Sequence, residues 1–430
     1  MVELPADPAR VELFRRRRFG LFVHFGLYSL AARGEWLRHN ERTSDEAYQP
    51  YFEHFYPDRY DPRDWIAQAA AAGMRYAVVT TKHHEGFCLW DTRLSDYRVT
   101  RTRWGQDIIA PLVAAMRERD FGVGLYHSLI DWHHPQFPLD GLHPLRDDPE
   151  ARRQERDIGA YRQYLHGQLR ELLTRYGRID QLWLDFSYEN HRHEGQLVWG
   201  AKGAADWDAA AVHRLARELQ PGILLNDRAG LPGDFLTPEQ YQPSDPLTRD
   251  GRPVLWEACQ TLNGSWGYDR DNTDVKSPEL LVRMLIDTVS KDGNLLLNVG
   301  PTGRGEFDEV ASRTLREIGR WMRLHERSIH GAGPSEFVPP PDCRYTQRGD
   351  RLYLHLFGWP FDAVHLPGLA DRVGYAQFLH DAAEVRREVD DPDQPAYATS
   401  AVGQPAGTLT LRLPTRRPEV AVPVIELFLR

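Results

Sequence analysis

Apolar segments alternate with helix-like segments along the first 300 residues, and this alternation constrains the fold more than any other feature of the chain. The apolar segments show no regular alternation of polar and apolar residues, which is typical of strands buried on both faces. Most of the helix-like segments end at glycine, and one begins at the capping residue Ser277 followed by Pro278. Strands separated by helices predict a parallel sheet. We predict strands at residues 19–26, 75–84, 121–129, 181–186, 223–227, 254–260 and 294–300.

Several of the predicted strands end in histidine, aspartate or glutamate. In a closed barrel of alternating strands and helices, the functional residues lie at the carboxyl ends of the strands. The sequence therefore predicts an α/β fold built on a distorted (β/α)8 TIM-like barrel. The pattern identifies seven strands and leaves the eighth unplaced, so an open, doubly wound sheet is the alternative.

The character of the sequence changes near Gly331, where a Gly- and Pro-rich segment follows the last helix-like pattern. Apolar runs between turn signals then predict short strands within residues 350–360, 408–414 and 420–430. We therefore predict a catalytic barrel domain over residues 1–333 and a C-terminal β-sandwich domain over residues 334–430.

Composition argues against several classes of function. The 430 residues carry a net charge of −9, which does not favour a nucleic-acid partner. Four consecutive arginines at residues 15–18 are interpreted as a solvated helix face, because the surrounding chain is not basic. The three cysteines, Cys88, Cys259 and Cys343, are too widely spaced for a metal knuckle, and they indicate a reducing compartment.

The chain also shows no sign of export or membrane insertion. No segment has the apolar core of a signal peptide, and none is long and apolar enough to cross a bilayer. We therefore expect a cytoplasmic protein with no membrane partner. Homo-oligomeric assembly is compatible with the sequence.

A carboxylate ends one of the most apolar strands. Asp185 follows the run QLWL, and burying its charge requires a hydrogen bond or an ion pair. It is interpreted as a catalytic carboxylate, with a helix cap or an arginine partner as the alternative. Acid/base-assisted glycosyl transfer needs a second carboxylate. Glu239 in a loop is the first choice and Glu257 in a strand the second, because loops adapt more easily to catalysis.

Histidines and an aromatic residue accompany these acids. His24 ends the first predicted strand, and the pair His83 and His84 ends the second. Adjacent strand residues point to opposite sides, so the turn at the strand end must relax if both are to face one centre. We interpret the three as hydrogen-bond donors to sugar hydroxyls. Glu35 and Trp36 could add a hydroxyl acceptor and an aromatic wall.

A metal site is the competing interpretation of the histidines. His191 and His193 form an HxH pair after the Asp185 strand, as in metal-dependent barrel hydrolases. The pair lies in a polar, charged stretch, ENHRHEGQ, which favours solvated loop histidines. We predict no metal and no other cofactor.

The order of the motifs resembles that of glycoside hydrolase family 29, the retaining α-L-fucosidases. The resemblance spans roughly residues 14–305. It rests on FGLFVHFG, GEW, TTKHHEGFCLWDT, GLYHSLIDWHHP, LWLDF, NDR and VSKDGNLLLNVGPTGRGEF. The resemblance implies an exo-acting enzyme that hydrolyses terminal α-L-fucosyl residues of oligosaccharides or glycoconjugates through a covalent glycosyl-enzyme. A fucose-binding barrel without turnover is the alternative.

The resemblance also implies roles for individual residues. Asp185 would be the nucleophile and Glu239 the general acid/base. Tyr126 would lie near the nucleophile, Arg228 would line the pocket, and Trp266 would pack near the methyl group of the sugar. The remaining residues would hold the sugar hydroxyls and ring: His24, Glu35, Trp36, His83 and His84.

The chain departs from the family pattern at two positions. Phe186 follows the nucleophile where many members have glycine, and His127 stands where many have a second tyrosine. We expect both changes to alter the shape of the pocket and the preference for the leaving group.

Overall fold

The computed structural model describes residues 6–193, 195–389 and 404–430. Its first part is a barrel of eight parallel strands. They are β1 (Phe19–Val23), β2 (Tyr76–Lys82), β3 (Gly122–Ser128), β4 (Gln181–Asp185), β5 (Leu224–Leu225), β6 (Phe235–Leu236), β7 (Leu255–Thr261) and β8 (Asn294–Val299). The spatial order is β5-β4-β3-β2-β1-β8-β7-β6, and a bridge between Asn226 and Phe235 joins the two ends. The predicted barrel is therefore confirmed, and the alternative of an open, doubly wound sheet is wrong.

The barrel is weakest at β5 and β6, which contain two residues each. Residues 226–254 contain no helix, so this stretch lacks the usual α-helical crossovers. Asp234 supplies some of the hydrogen bonds that longer strands would make here. Its backbone N–H donates to the Leu225 carbonyl, and its carboxylate accepts from the Leu225 N–H. Arg217 neutralises the same carboxylate at 2.6 Å. This local arrangement explains why the sequence pattern did not place the eighth strand.

Helices surround the barrel, and Phe14 of the first of them packs into the cluster of inward-facing side chains inside it. The helices are α1 (Pro8–Arg17), α2 (Pro62–Ala71), α3 (Ile109–Glu118), α4 (Ile158–Arg175), α5 (Ala209–Leu219), α6 (Pro278–Ser290) and α7 (Glu309–His325). Side-chain caps begin several of them, and the predicted Ser277 cap of α6 accepts from the Leu280 N–H at 3.1 Å. Shorter helices lie in the loops, at Tyr28–Ala31, Leu37–Asn40, Asp45–Glu53 and Ala204–Trp207. No described helix has the length and apolarity needed to cross a bilayer.

The arginine run at the end of α1 is not simply a solvated face. Arg18 is only 3% exposed, and it lies under the barrel. Its guanidinium pairs with Asp292 at 2.7 Å and donates to the Ala332 carbonyl at 2.7 Å. The prediction of a solvated face is therefore wrong for Arg18, since contacts with chain more than 270 residues away bury it.

Two antiparallel sheets follow the barrel. Their strands are β9 (Cys343–Arg348), β10 (Arg351–Leu356), β11 (Ala363–Leu366), β12 (Val373–Phe378), β13 (Arg386–Val389), β14 (Leu409–Arg412) and β15 (Val424–Leu429). One sheet has the order β9-β10-β15-β12 and the other β11-β14-β13. Leu352 and Leu354 of the first sheet share a buried cluster with Leu366 and Leu411 of the second. The two sheets therefore form the predicted β-sandwich.

The sandwich packs on helices α6 and α7. Trp321 of α7 donates its indole N–H to the Val422 carbonyl at 2.8 Å. Arg344 pairs with Asp287 of α6 at 2.8 Å.

Candidate active site

A cleft of about 410 Å³ opens among the carboxyl ends of the barrel strands. Every predicted site residue except Glu35 and Glu257 lines it. The lining residues are Phe22, His24, Trp36, His83, His84, Tyr126, Trp183, Asp185, Phe186, Arg228, Glu239, Cys259 and Trp266.

Asp185 is the last residue of β4, and its side chain is 14% exposed at the cleft. Tyr126 on the neighbouring strand β3 donates its hydroxyl to Oδ2 at 2.8 Å. Arg228 donates from Nη1 to Oδ1 at 3.2 Å. Burial and the Asp185 charge raise the pKa of Tyr126 well above its ordinary value, so the phenol stays protonated and keeps donating. Both oxygens of Asp185 are therefore held in place.

Glu239 follows β6 and shares the same arginine. Its Oε2 lies 2.5 Å from Nη1 of Arg228, and the side chain is 39% exposed. Because Asp185 Oδ1 and Glu239 Oε2 contact one nitrogen at 3.2 and 2.5 Å, the two oxygens are at most 5.7 Å apart. This limit is compatible with the ~5–5.5 Å spacing of carboxyl groups in retaining glycosidases, and it lies below the ~6.5–9.5 Å of inverting ones.

Arg228 is itself held from two sides. Its guanidinium lies 4.8 Å from the centre of the Trp183 ring, in a cation–π contact. Thr237 accepts from Nε through its hydroxyl at 2.8 Å and from Nη2 through its carbonyl at 3.1 Å. A charged group fixed in this way can bring two like-charged carboxylates together without their repulsion opening the cleft.

His24 presents an acceptor to the cleft rather than the predicted donor. Asn298 donates its amide to the Trp266 carbonyl at 2.7 Å, so its Oδ1 faces His24 Nδ1 at 2.7 Å and accepts from it. Burial lowers the pKa of His24 to about 3, so the ring is neutral at pH 7. With the proton on Nδ1, the Nε2 of His24 carries a lone pair.

His84 has the same arrangement. Ser128 donates its single hydroxyl proton to the Ile130 carbonyl at 2.8 Å, so His84 Nδ1 donates to Ser128 Oγ at 2.7 Å. Burial lowers the pKa of His84 to about 3 and the pKa of His83 well below its ordinary value. The floor of the cleft is therefore lined by neutral imidazoles.

Aromatic rings surround these polar groups. Phe22 lies 5.2 Å from Trp183 and 5.8 Å from Trp266, and Tyr126 stacks on Trp183 at 6.0 Å. Trp36 packs at 5.1 Å against His84. Neither Phe22 nor Trp183 is among the site residues predicted from the sequence, although Trp183 lies two residues before Asp185 and so points to the same side of the strand.

Glu35 and Glu257 lie outside the lining of the cleft. Glu35 is buried and accepts from the Gly267 N–H at 2.7 Å, which ties the loop carrying Trp36 to the loop carrying Trp266. Glu257 is fully buried in the barrel interior. It accepts from the Trp183 indole at 2.9 Å and from the Tyr76 hydroxyl at 2.7 Å.

The two departures from the family pattern lie in different places. Phe186 lines the cleft. His127 does not, because it follows Tyr126 on β3 and points to the outside of the barrel, where its Nδ1 contacts Thr81 Oγ1 at 2.9 Å. The expectation that His127 alters the pocket is therefore wrong.

Among the described residues, no group of three or more His, Cys, Asp or Glu side chains is arranged to hold a metal ion. His191 is exposed beside a short hairpin (Arg192–His193 with Gln196–Leu197). The side chain of His193 lies outside the described part of the chain.

Known proteins match this chain in sequence and in fold. The family model for alpha-L-fucosidase matches residues 6–327. The solved structure of alpha-L-fucosidase isoenzyme 1 from Paenibacillus thiaminolyticus is 42% identical and covers 98% of this chain and 99% of its own, with a TM-score of 0.90. Plasma alpha-L-fucosidase of Rattus norvegicus is 30% identical over 81% of this chain and 77% of its own length. Tissue alpha-L-fucosidase of Homo sapiens is 27% identical over 82% and 76%. The chain therefore belongs to the α-L-fucosidase family, glycoside hydrolase family 29, which its motifs resemble.

Proposed function

We propose that this protein is an exo-acting, retaining α-L-fucosidase that releases terminal α-L-fucosyl residues from oligosaccharides or glycoconjugates. One observation carries the mechanism: Asp185 and Glu239 contact the same nitrogen of Arg228, with their nearest oxygens at most 5.7 Å apart. This limit is close to the ~5–5.5 Å spacing of the carboxyl groups in retaining glycosidases and shorter than the ~6.5–9.5 Å that leaves room for a water in inverting ones. The family supplies the identity of the sugar.

In the first step, Asp185 attacks the anomeric carbon and Glu239 protonates the departing oxygen. The C1–O bond breaks, an ester forms with Asp185, and the leaving group takes the proton of Glu239. Tyr126 and Arg228 hold the two oxygens of Asp185 and so keep the nucleophile in line. In the second step, Glu239 removes a proton from water, and the water breaks the ester with a second inversion.

The charges of the cleft suit this sequence. With Glu239 protonated, one arginine balances one aspartate, and the site is neutral like its substrate. Positive charge develops on the sugar ring in the transition state. The histidines have pKa values depressed by burial, so they add no opposing positive charge.

Glu239 must leave its contact with Arg228 before it can act as the acid. An ion pair stabilises the carboxylate, whereas the first step needs the protonated acid. We infer that the glycosidic oxygen takes the place of Arg228 beside Glu239 when the substrate enters. Arg228 then remains with Asp185, whose charge it continues to balance.

The neutral histidines define how the sugar is held. With Nδ1 of His24 and His84 engaged in donation, their Nε2 atoms accept hydrogen bonds from sugar hydroxyls. Phe22 and Trp266 supply apolar surface for the methyl group of a deoxyhexose. The packed Phe22, Tyr126 and Trp183 rings close the floor, so only a terminal residue can enter.

The test is release of 4-nitrophenol from 4-nitrophenyl α-L-fucoside. We expect turnover by the wild-type protein and loss of nearly all of it in Asp185→Ala. Azide should restore part of the Asp185→Ala activity and yield β-L-fucosyl azide, because the small anion enters where the carboxylate was. Asp227→Ala is the matched control. The carboxylate of Asp227 accepts a hydrogen bond from the Thr237 hydroxyl and does not line the cleft.

Two results would contradict the proposal. If folded wild-type protein binds fucose but cleaves no fucoside, the barrel is a binding module and not an enzyme. If Asp185→Ala keeps a near-normal rate without azide, the nucleophile is a different group.

A further inference from the structure

Phe186 has an unusual backbone conformation at a critical position. It directly follows Asp185, and its φ angle is +85°. L-residues other than asparagine and aspartate rarely adopt positive φ, and a bulky residue there is a true outlier. Among the described non-glycine residues with positive φ, Phe186 is the only aromatic one. Glycine would relieve the strain, so the aromatic ring stays despite a conformational cost.

The ring lies where it can touch a ligand. Its centre is 5.3 Å from the Trp36 ring, 4.7 Å from His84 and 5.0 Å from Tyr188. The backing of the ring is rigid, because the Tyr188 hydroxyl donates to Asp140, which is fully buried. Phe186 is therefore held in place as a wall of the cleft.

The wall belongs to the upper part of the cleft. His24, His83 and His84, at the floor, are at most 4% exposed, whereas Phe186 and Trp36 are only partly buried. Glu239, which must face the glycosidic oxygen, is also at the exposed side. A sugar that fills the floor therefore directs its leaving group past these rim residues.

We propose that Phe186 is a specificity-determining residue that packs against the group leaving from the anomeric carbon. This inference rests on the proposed fucosidase function. The ring offers an apolar face to an aromatic aglycone or to the apolar face of the next sugar. Its backbone conformation and its packing on Trp36 and Tyr188 fix that face at the rim, which the leaving group passes as it departs from the cleft.

The experiment compares two substrates whose sugar is the same. 4-Nitrophenyl α-L-fucoside has an aromatic leaving group, whereas α-L-fucosyl fluoride has a single atom. The value of kcat/KM reports the steps up to departure of that group. In Phe186→Ala, we expect kcat/KM for the nitrophenyl substrate to fall about ten-fold more than for the fluoride, which corresponds to ~1.4 kcal/mol. Phe186→Tyr keeps the ring and should keep the wild-type ratio.

Phe186→Gly is the second variant, because it removes the ring and relieves the strain at positive φ. It should fold even if Phe186→Ala does not, and it should show the same selective loss. Equal losses for both substrates, or no loss for either, would overturn the inference, since Phe186 would then act on the sugar, on Asp185 or on neither. Failure of the proposed function is a separate result, namely no turnover of either substrate by the wild-type protein.

Discussion

Replacing Glu257 and Glu239 by glutamine, each alone, separates a structural carboxylate from a catalytic one. Glu257 accepts at Oε1 from the Tyr76 hydroxyl at 2.7 Å and the Gln181 amide at 3.2 Å, and at Oε2 from the Trp183 indole at 2.9 Å. All three partners donate, so the site needs an acceptor at both oxygens. A glutamine has one acceptor oxygen, and its NH₂ would face a donor.

The magnitude follows from the group left unpaired. If the glutamine oxygen faces Tyr76 and Gln181, its NH₂ opposes the Trp183 N–H in a fully buried site. An unsatisfied buried donor costs about 1–3 kcal/mol, so Glu257→Gln should lower the free energy of unfolding by that amount. Its kcat/KM per folded molecule should stay within about ten-fold of wild type, because Glu257 does not line the cleft.

Glu239→Gln should show the opposite result. Its carboxylate is 39% exposed, so losing the charge should change stability by less than about 1 kcal/mol. Loss of the proton donor should reduce kcat/KM on a fucosylated oligosaccharide by about 10²–10⁴-fold. The loss should be smaller on 4-nitrophenyl α-L-fucoside, whose leaving group needs less protonation.

Urea unfolding followed by tryptophan fluorescence measures the stability, and initial rates on both substrates measure the activity. The assignment would be refuted by a stable, folded Glu257→Gln protein without activity beside a fully active Glu239→Gln protein. In that case Glu257 would be the general acid/base.

Two further predictions concern the histidines. Asn298→Ala removes the acceptor that holds the proton on His24 Nδ1, leaving a buried donor unpaired, so kcat/KM should fall about ten-fold and fucose should inhibit more weakly. Steady-state kinetics with and without fucose check this, and unchanged inhibition would show that the His24 tautomer does not matter for the sugar. His355 lies in the sandwich, away from the cleft, with a pKa that burial lowers to about 3 from an ordinary 6.5. Below pH 6.5 the unfolded chain therefore binds more protons than the folded chain. The contribution of the neutral ring to the free energy of unfolding is complete above pH 6.5 and is lost as the pH falls toward 3. Urea unfolding at pH 7 and pH 5 should show that His355→Gln reduces the acid-induced loss of stability by about 2 kcal/mol. An equal loss in the variant and the wild type would mean that His355 is not buried in its neutral form.

Local patterns in the sequence determined much of the architecture. The predicted strand ending in Asp185 and the predicted helix beginning at Ser277 both exist, because apolar runs and caps act within a few residues. Strand ends also located His24, His83 and His84, because parallel strands of a barrel bring their carboxyl ends to one side. A strand as short as Phe235–Leu236 carries too few residues for any such pattern.

The tertiary structure decided what those residues do. Arg228 joins Asp185 and Glu239 across different strands, and Asn298 sets the tautomer of His24 from 274 residues away. The sequence indicated histidine donors, whereas burial and these partners make His24 an acceptor. Proton positions, ion pairs and pKa values depend on distances between atoms that are remote along the chain, and only the folded protein brings those atoms together.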